Sequence, residues 1–184
     1  MVEIEFKNML TQREYEQLMN HFQMTGKAKP QTNIYFDTAG NHLKNSSMSL
    51  RVRQTVDGWE LTLKQPHPEG KLETNQDLLE SEAKALEDLK GFVEGPVKKI
   101  LDAEHIPVAD LSVIGYLVTD RAEFPYKNGT LFLDHSKYNG KEDYELEFEA
   151  DNYDRGLQTF QQVLRDFKIP TRHGVSKIRR ATTP

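Results

Sequence analysis

Residues 49–64 read SLRVRQTVDGWELTLK. The segment LRVR alternates two apolar residues with Arg51 and Arg53, which is the two-residue period of a β-strand. Asp57-Gly58 is a typical two-residue turn of a β-hairpin. This stretch therefore predicts two antiparallel strands, over residues 49–56 and 59–64, each with one apolar and one charged face.

Similar signals predict the other elements. Asn128-Gly129 and Asn139-Gly140 indicate two more hairpins, and Glu14 follows Thr11 at the spacing of a helix capping box. No stretch reads as a linker, so we expect one domain over residues 1–184, an α+β protein whose strands close into an antiparallel β-barrel. The further predicted strands are 2–7, 32–37, 111–124, 130–138 and 143–150, and the predicted helices follow Thr11 and cover 78–89, 96–104, 153–167 and 176–181.

Composition narrows the classes of function. The 184 residues carry a formal net charge of -5, which does not favour nucleic acid as a partner, and the absence of cysteine excludes disulfides and thiolate sites. The N-terminus lacks the apolar run of a signal peptide, and no segment approaches the roughly 20 apolar residues that span a bilayer. We expect a soluble cytoplasmic protein without a membrane partner.

The charges of the predicted strands are segregated by sign. Each strand alone fits an ordinary sheet whose charged face lies in water, but rows of like charge repel one another on a bare surface. A closed barrel accounts for the rows if its apolar face packs outward against helices and its charged face lines the interior. The carboxylate rows are Glu3 with Glu5 and Glu145 with Glu147 and Glu149, and the mainly basic rows contain Arg51, Arg53 and Lys64.

Such an interior has a definite chemistry. Arginine and lysine bind phosphate oxygens, arginine often through two parallel hydrogen bonds. Clustered carboxylates bind Mg²⁺ or Mn²⁺, hard cations that prefer oxygen ligands. The residues therefore predict a polyphosphate bound together with divalent cations.

A series of short segments strengthens this interpretation because they occur in a fixed order. They are Glu3-Ile4-Glu5-Phe6-Lys7, Tyr35-Phe36-Asp37-Thr38, Leu50-Arg51-Val52-Arg53, Leu61-Thr62-Leu63-Lys64, Arg121, Leu133-Asp134 with Ser136, Glu145-Leu146-Glu147 and Ser176-Lys177. Together they resemble the CYTH superfamily, the triphosphate tunnel metalloenzymes, and in particular its short, single-domain bacterial branch. The resemblance covers essentially the whole chain and implies a closed eight-stranded antiparallel tunnel with helices outside.

The resemblance also implies roles for individual side chains and a requirement for divalent metal, Mg²⁺ or Mn²⁺, as two ions. The implied metal ligands are Glu3, Glu5, Asp134, Glu145 and Glu147, and the implied phosphate-binding residues are Lys7, Arg51, Arg53, Lys64, Arg121 and Lys177.

Several further residues have weaker assignments. Glu5 or Glu147 is the predicted catalytic base. Glu149 extends the acidic row outside the core motif, and Glu73 is a weaker metal candidate. The interpretation leaves open whether Arg179 and Arg180 contact substrate or solvent, and it favours packing over a substrate hydrogen bond for Tyr35. All six histidines are interpreted as structural or surface residues.

Three functions follow from these residues. The leading hypothesis is a metal-dependent hydrolase of inorganic triphosphate, thiamine triphosphate or a nucleoside triphosphate. The second is a class IV-type adenylate cyclase that makes cyclic AMP and pyrophosphate from ATP, although no motif for adenine or ribose is visible. The third is a non-catalytic polyphosphate- or nucleotide-binding module, and any of the three is compatible with a homodimer.

Overall fold

The computed structural model describes residues 2–68 and 70–183, apart from the side chain of Val2. The single-domain prediction for 1–184 thus includes Met1, Glu69 and Pro184, which lie outside the described residues. The strands are β1 (Val2–Leu10), β2 (Lys29–Thr38), β3 (Ser49–Gln54), β4 (Trp59–His67), β5 (Gly70–Leu78), β6 (Leu111–Tyr126), β7 (Gly129–Tyr138) and β8 (Lys141–Ala150). The α-helices are α1 (Gln12–His21), α2 (His42–Asn45), α3 (Glu80–Glu87), α4 (Pro96–Ala103), α5 (Tyr153–Asp166) and α6 (Lys177–Thr182).

The eight strands form a closed barrel in the order β1-β5-β4-β3-β2-β6-β7-β8. The pairing is antiparallel, for example where Arg51 lies opposite Tyr35 on one side and Thr62 on the other. The predicted fold class, a closed eight-stranded antiparallel barrel with helices outside, is confirmed. In the described part of the chain, no helix is long and apolar enough to cross a lipid bilayer.

Strand β5 was not predicted, and the helix expected from Leu78 begins at Glu80 instead. The sequence GKLETNQDL of β5 has few β-branched or aromatic residues and no regular apolar period. Its partner specifies it, because β5 pairs with β4 at every position from Trp59 opposite Leu78 to His67 opposite Gly70. Strand β4 therefore continues beyond its predicted end at residue 64, and Pro66 lies within this paired segment.

Turn signals located the hairpins but not every turn residue. Asn139-Gly140 forms the predicted two-residue turn, with φ of 47° and 70°, between the paired residues Tyr138 and Lys141. Gly129 instead belongs to β7, and Lys127 takes the positive φ in this turn. Glycine is required at 129 because a Cβ there would come within 2.1 Å of the Glu149 carbonyl oxygen. The Asp57-Gly58 loop is longer than predicted and spans residues 55–58.

The chain divides into two compact units. The first unit comprises Gln31–Leu117 and the segment from Lys177 onward. Its apolar core lies between the strands and the helices α3 and α4, as the alternation in residues 49–64 predicts. The fully buried side chains of this core include Leu50, Val52, Leu61, Leu63, Ala83, Val97 and Leu101.

The second unit comprises Glu3–Pro30 and Val118–Ser176. Its core lies between strands β1, β6, β7 and β8 and the helices α1 and α5. Helix α1 begins at the predicted capping box, in which Glu14 N–H donates to Thr11 Oγ1 and Thr11 N–H donates to Glu14 Oε2. The fully buried side chains of this core include Leu18, Leu131, Leu133, Leu146, Phe148 and Val163.

Helix α6 is placed by its fit against β6 within the first unit. A Cβ on Gly115 would lie 2.5 Å from the Ala181 carbonyl oxygen, so the helix backbone approaches the strand more closely than any side chain would permit. This close approach holds the helix that begins at Lys177, one of the predicted phosphate-binding residues.

Candidate functional site

In the second unit, strand pairing brings the predicted acidic rows together on the face opposite the helices. Across β1 and β8, Glu5 pairs with Glu149 and Lys7 pairs with Glu147. Across β7 and β8, Asp134 pairs with Glu145. Since side chains two residues apart share a face, the carboxylates of three strands form one acidic surface.

Three of these carboxylates form a buried cluster, which we call the buried trio: Asp134, Glu145 and Glu147. Their exposed fractions are 0%, 0% and 3%, and each supplies an oxygen within 4.8 Å of those of the other two. An ordinary sheet with its charged face in water would leave them exposed. The prediction that this charged face is turned away from solvent is confirmed for the trio.

Arg121 and Lys7 contact the buried trio. Arg121 Nε donates to Asp134 Oδ1 at 2.8 Å, and Arg121 Nη2 donates to Asp134 Oδ2 at 2.6 Å and to Glu147 Oε2. The guanidinium also lies over the ring of Phe132, 4.4 Å from its centroid. Lys7 Nζ lies 3.6 Å from Glu147 Oε1 and contacts Glu5. Both predicted phosphate-binding residues of this unit are thus in contact with predicted metal ligands.

The electrostatic environment keeps both cations charged. Burial alone would lower the pKa of Lys7, but the negative charges of Glu147, Glu5 and Glu145 outweigh it and raise that pKa above the usual value. For Arg121, burial likewise opposes the charged form, while Asp134 and Glu147 raise the pKa. A bound phosphate would therefore meet an ammonium and a guanidinium at any pH near neutrality.

A second carboxylate group, half-buried, consists of Glu3, Glu5 and Glu149, whose oxygens also lie within 4.8 Å of one another. The predicted metal ligands therefore fall into two groups, and the second group includes Glu149, which we placed outside the core motif. The register pairs Glu149 directly with Glu5. The strand alternation of β8 had placed Glu149 in the row of Glu145 and Glu147, and only the core motif left it out of the predicted ligands.

The donor set fits divalent metal. Six carboxylates lie in the two groups, and Lys7 and Arg121 are in contact with some of them. Like charges so close together raise the energy of the ionised state unless a cation joins them. Oxygen-only donors match Mg²⁺ or Mn²⁺, whereas the chain has no cysteine for a thiolate site. The buried trio can hold a metal ion.

The first unit carries the basic row. Arg51 and Arg53 lie on β3, and their side chains are half-buried on the face opposite Leu50 and Val52. Arg53 Nε donates to Asn33 Oδ1 at 2.9 Å, and Asn33 is fully buried. Within the described residues, nothing accepts a hydrogen bond from the buried Nε of Arg51. The row thus contains one guanidinium held in place and one with a buried donor left over.

Asn33 is a residue that we did not predict. It lies opposite Arg53 in the β2–β3 register, which the sequence alone does not specify. Its position on the same face of β2 as Tyr35, two residues before it, was the available signal. Lys64 contacts Glu73, its partner across β4 and β5, so Glu73 is engaged with a cation of its own unit.

The remaining predictions concern the C-terminus, Tyr35 and His135. Lys177 and Arg180 of α6 are buried, whereas Arg179 is exposed. Tyr35 is buried in β2. His135 stacks on Tyr144, with ring centroids 4.5 Å apart, and its Nε2 lies 2.8 Å from Glu142 Oε2, which agrees with a structural histidine. The roles assigned to individual site residues stay predictions.

Comparison with known proteins identifies relatives over nearly the whole length. Residues 1–182 match the CYTH domain family. The chain is 43% identical over 182 residues to the Bacillus subtilis protein named "Putative triphosphatase YjbK", covering 97% of this chain and 93% of that protein.

Two solved structures are similar to the fold described above. A putative adenylate cyclase from Bacillus halodurans is 41% identical with a TM-score of 0.93, covering 97% of this chain and 96% of that one. A Hippeastrum protein, described as a putative adenylyl cyclase with a dominant triphosphatase activity, is 21% identical with a TM-score of 0.78, covering 96% and 93%. At that identity, the second likeness concerns the fold alone.

Proposed function

This chain belongs to the CYTH domain family, and on that basis we propose that it is a divalent-metal-dependent triphosphatase. The observation that carries the proposal is the buried trio with Lys7 and Arg121 in direct contact. A site that contains carboxylates and fixed cations side by side has partners for both a metal ion and a phosphate. The name of the Bacillus subtilis relative, a putative triphosphatase, agrees with this chemistry.

The site residues fall into a metal-binding set and a phosphate-binding set in the proposed reaction. Asp134, Glu145 and Glu147 hold one Mg²⁺ or Mn²⁺, and the group that contains Glu3 and Glu5 holds another. Bound metal supplies neutralisation of phosphate charge and a more acidic water. The full residue sets are Asp134, Glu145, Glu147, Glu3, Glu5 and Glu149 for metal and Lys7, Arg51, Arg53, Lys64, Arg121 and Lys177 for the triphosphate oxygens.

The protein's own groups align the triphosphate and accept a proton from the attacking water as the terminal phosphoryl group separates from the remaining diphosphate. Phosphoryl transfer depends on positioning and charge stabilisation more than on covalent help, so the cations that orient the triphosphate supply a large part of the rate. Asn33 holds the guanidinium of Arg53 through its Nε, and a guanidinium held in this way can present its two terminal nitrogens to phosphate oxygens. Glu5 or Glu147 accepts the proton of the attacking water.

Adenylate cyclase activity is the alternative, and the name of the Bacillus halodurans structure favours it. The two relatives above 40% identity carry names of different activities, and both activities use the same fold. The choice therefore depends on the products. Cytoplasmic location and homodimer formation stay predictions.

We expect the purified protein, with Mg²⁺ or Mn²⁺, to release phosphate from a triphosphate. The measurement is a panel of inorganic triphosphate, thiamine triphosphate and ATP in which phosphate, pyrophosphate and cyclic AMP are quantified separately. Cyclic AMP and pyrophosphate as the main products of ATP would establish the cyclase instead. Metal-dependent binding without any product would establish a binding module.

A further inference from the structure

The segment between α5 and α6, residues 169–176, which we call the strap, is fastened to β1. Met9 N–H donates to the carbonyl oxygen of Arg172 at 3.1 Å. The strap precedes Lys177, the first residue of α6, along the chain. The backbone bond to Met9 joins the strap to β1 within the second unit.

Asn8 makes the first side-chain contacts that hold the strap. It occupies a position on the outward face of β1, in line with Phe6 and Leu10, yet it is polar and only 1% exposed. Its Nδ2 donates to the Pro170 carbonyl oxygen at 3.1 Å, and its Oδ1 accepts from Arg172 N–H at 2.7 Å. A buried amide in an otherwise apolar row stabilises the fold only if its hydrogen bonds are made. Asn8 makes them with Pro170 and Arg172 and so holds the strap against β1.

Arg172 holds the strap at a second place, through an ion pair. Its Nη1 and Nη2 donate to the two carboxylate oxygens of Glu14, at 2.6 and 3.0 Å. Glu14 is the same residue that caps helix α1 through Thr11. Hydrogen bonding from Arg172 is the largest cause that lowers the pKa of Glu14, so this pair is charged at neutral pH. The strap is thereby joined to a strand and to a helix terminus.

Gly174 brings the strap beside the buried trio. A Cβ built there would lie 2.4 Å from Met9 Sδ, 2.7 Å from Met9 Cγ and 3.9 Å from Glu145 Oε1. Its φ lies outside the left-handed region, so an alanine would meet no backbone strain and would be opposed by Met9 alone. With Met9 in place, a side chain at residue 174 would require Met9 or the strap to shift beside Glu145.

We propose that the strap is a positioning element of the active site, held by Asn8 and Arg172 and brought close to Met9 by Gly174, which fixes the surroundings of Glu145. These three residues act through others and do not touch the substrate. The proposal rests on the proposed function for its effect on turnover, but its effect on the Glu145 group does not require catalysis.

The test compares Gly174→Ala, Met9→Ala and the double variant. Displacing an active-site segment by a fraction of an ångström to 1 Å costs up to about 100-fold in rate, so we expect Gly174→Ala to lower kcat for triphosphate by roughly 10- to 100-fold. Met9→Ala removes the opposing atoms. The double variant should therefore recover to within about threefold of Met9→Ala, a non-additivity expected only of residues in contact. Thermal midpoints of all three should stay close together.

A second measurement uses Mn²⁺ affinity by calorimetry, which needs no turnover. Gly174→Ala should weaken Mn²⁺ binding several-fold, and the double variant should restore it. Arg172→Gln should also lower kcat, whereas the matched control Arg155→Gln, which removes an exposed pair with Asp151, should not. A merely structural role would lower thermal midpoints and leave kcat and Mn²⁺ affinity at wild-type values.

The outcomes separate the two proposals. If the wild-type protein hydrolyses triphosphate and Gly174→Ala has the same kcat and Mn²⁺ affinity as the wild type, the strap proposal alone is overturned. A wild-type chain that turns over no triphosphate but loses Mn²⁺ affinity on Gly174→Ala, with rescue by Met9→Ala, overturns the proposed function and supports the strap. Failure of the double variant to recover either property overturns the strap proposal, because Met9 is the contact that excludes a side chain.

Discussion

Glu147→Gln is expected to lower triphosphate hydrolysis at saturating Mg²⁺ by roughly 100-fold or more, since changes even to groups behind metal ligands cost about 10- to 100-fold. The amide keeps the shape of the carboxylate but removes a charge from the buried trio. Arg121 keeps its two hydrogen bonds to Asp134, and Lys7 keeps its ion pair with Glu5, so each cation still has a carboxylate partner. The measurement is kcat, together with the thermal midpoint of the metal-free protein.

The stability of the metal-free variant should change little. Removing one charge relieves repulsion among Asp134, Glu145 and Glu147, and this gain opposes the loss of a charged partner for Arg121. The rise in thermal midpoint that Mn²⁺ produces in the wild type should shrink. Glu142→Gln is the matched control, because Glu142 lies on the same strand, is exposed and contacts His135. Near wild-type kcat in Glu147→Gln would remove this residue from the metal site.

Alternation and turn chemistry were sufficient for most of the barrel. Strands such as β3 and β8 bury one face against helices, so their two-residue period is written into the sequence. Strand β5 has no such period, and it forms because β4 offers it nine paired positions. Tertiary pairing can override weak local propensity, and a single sequence does not reveal that pairing.

The same distinction applies to the site. Same-face rows of acidic residues are a local property, so the carboxylates of β1 and β8 could be predicted from alternation. Which cation each carboxylate meets depends on register, and the contact of Arg121 with both Asp134 and Glu147 joins residues of three strands. Asn33 and Asn8 were missed for this reason, since each is defined by a partner far away in the chain, Arg53 and Arg172.

The basic row supplies the second large effect. Arg53→Ala should weaken triphosphate binding by about 10- to 100-fold, because a hydrogen bond to a charged group contributes about 1.5–3 kcal/mol and each 1.4 kcal/mol is about tenfold in affinity. Asn33 engages only Nε of Arg53, so the terminal nitrogens are oriented as a fork for two phosphate oxygens. Lysine cannot reproduce that fork, so Arg53→Lys should recover part of the affinity.

Thermal midpoints with and without inorganic triphosphate measure this effect without turnover. Arg53→Ala leaves the buried Asn33 Oδ1 without this donor, so the ligand-free midpoint should fall slightly, by the equivalent of about 1 kcal/mol. The rise produced by triphosphate should shrink far more, because ligand stabilisation follows affinity. Arg155→Ala, on the exposed surface of α5, is the control and should keep the full rise. Equal rises in wild type and Arg53→Ala would mean that the row on β3 does not bind triphosphate.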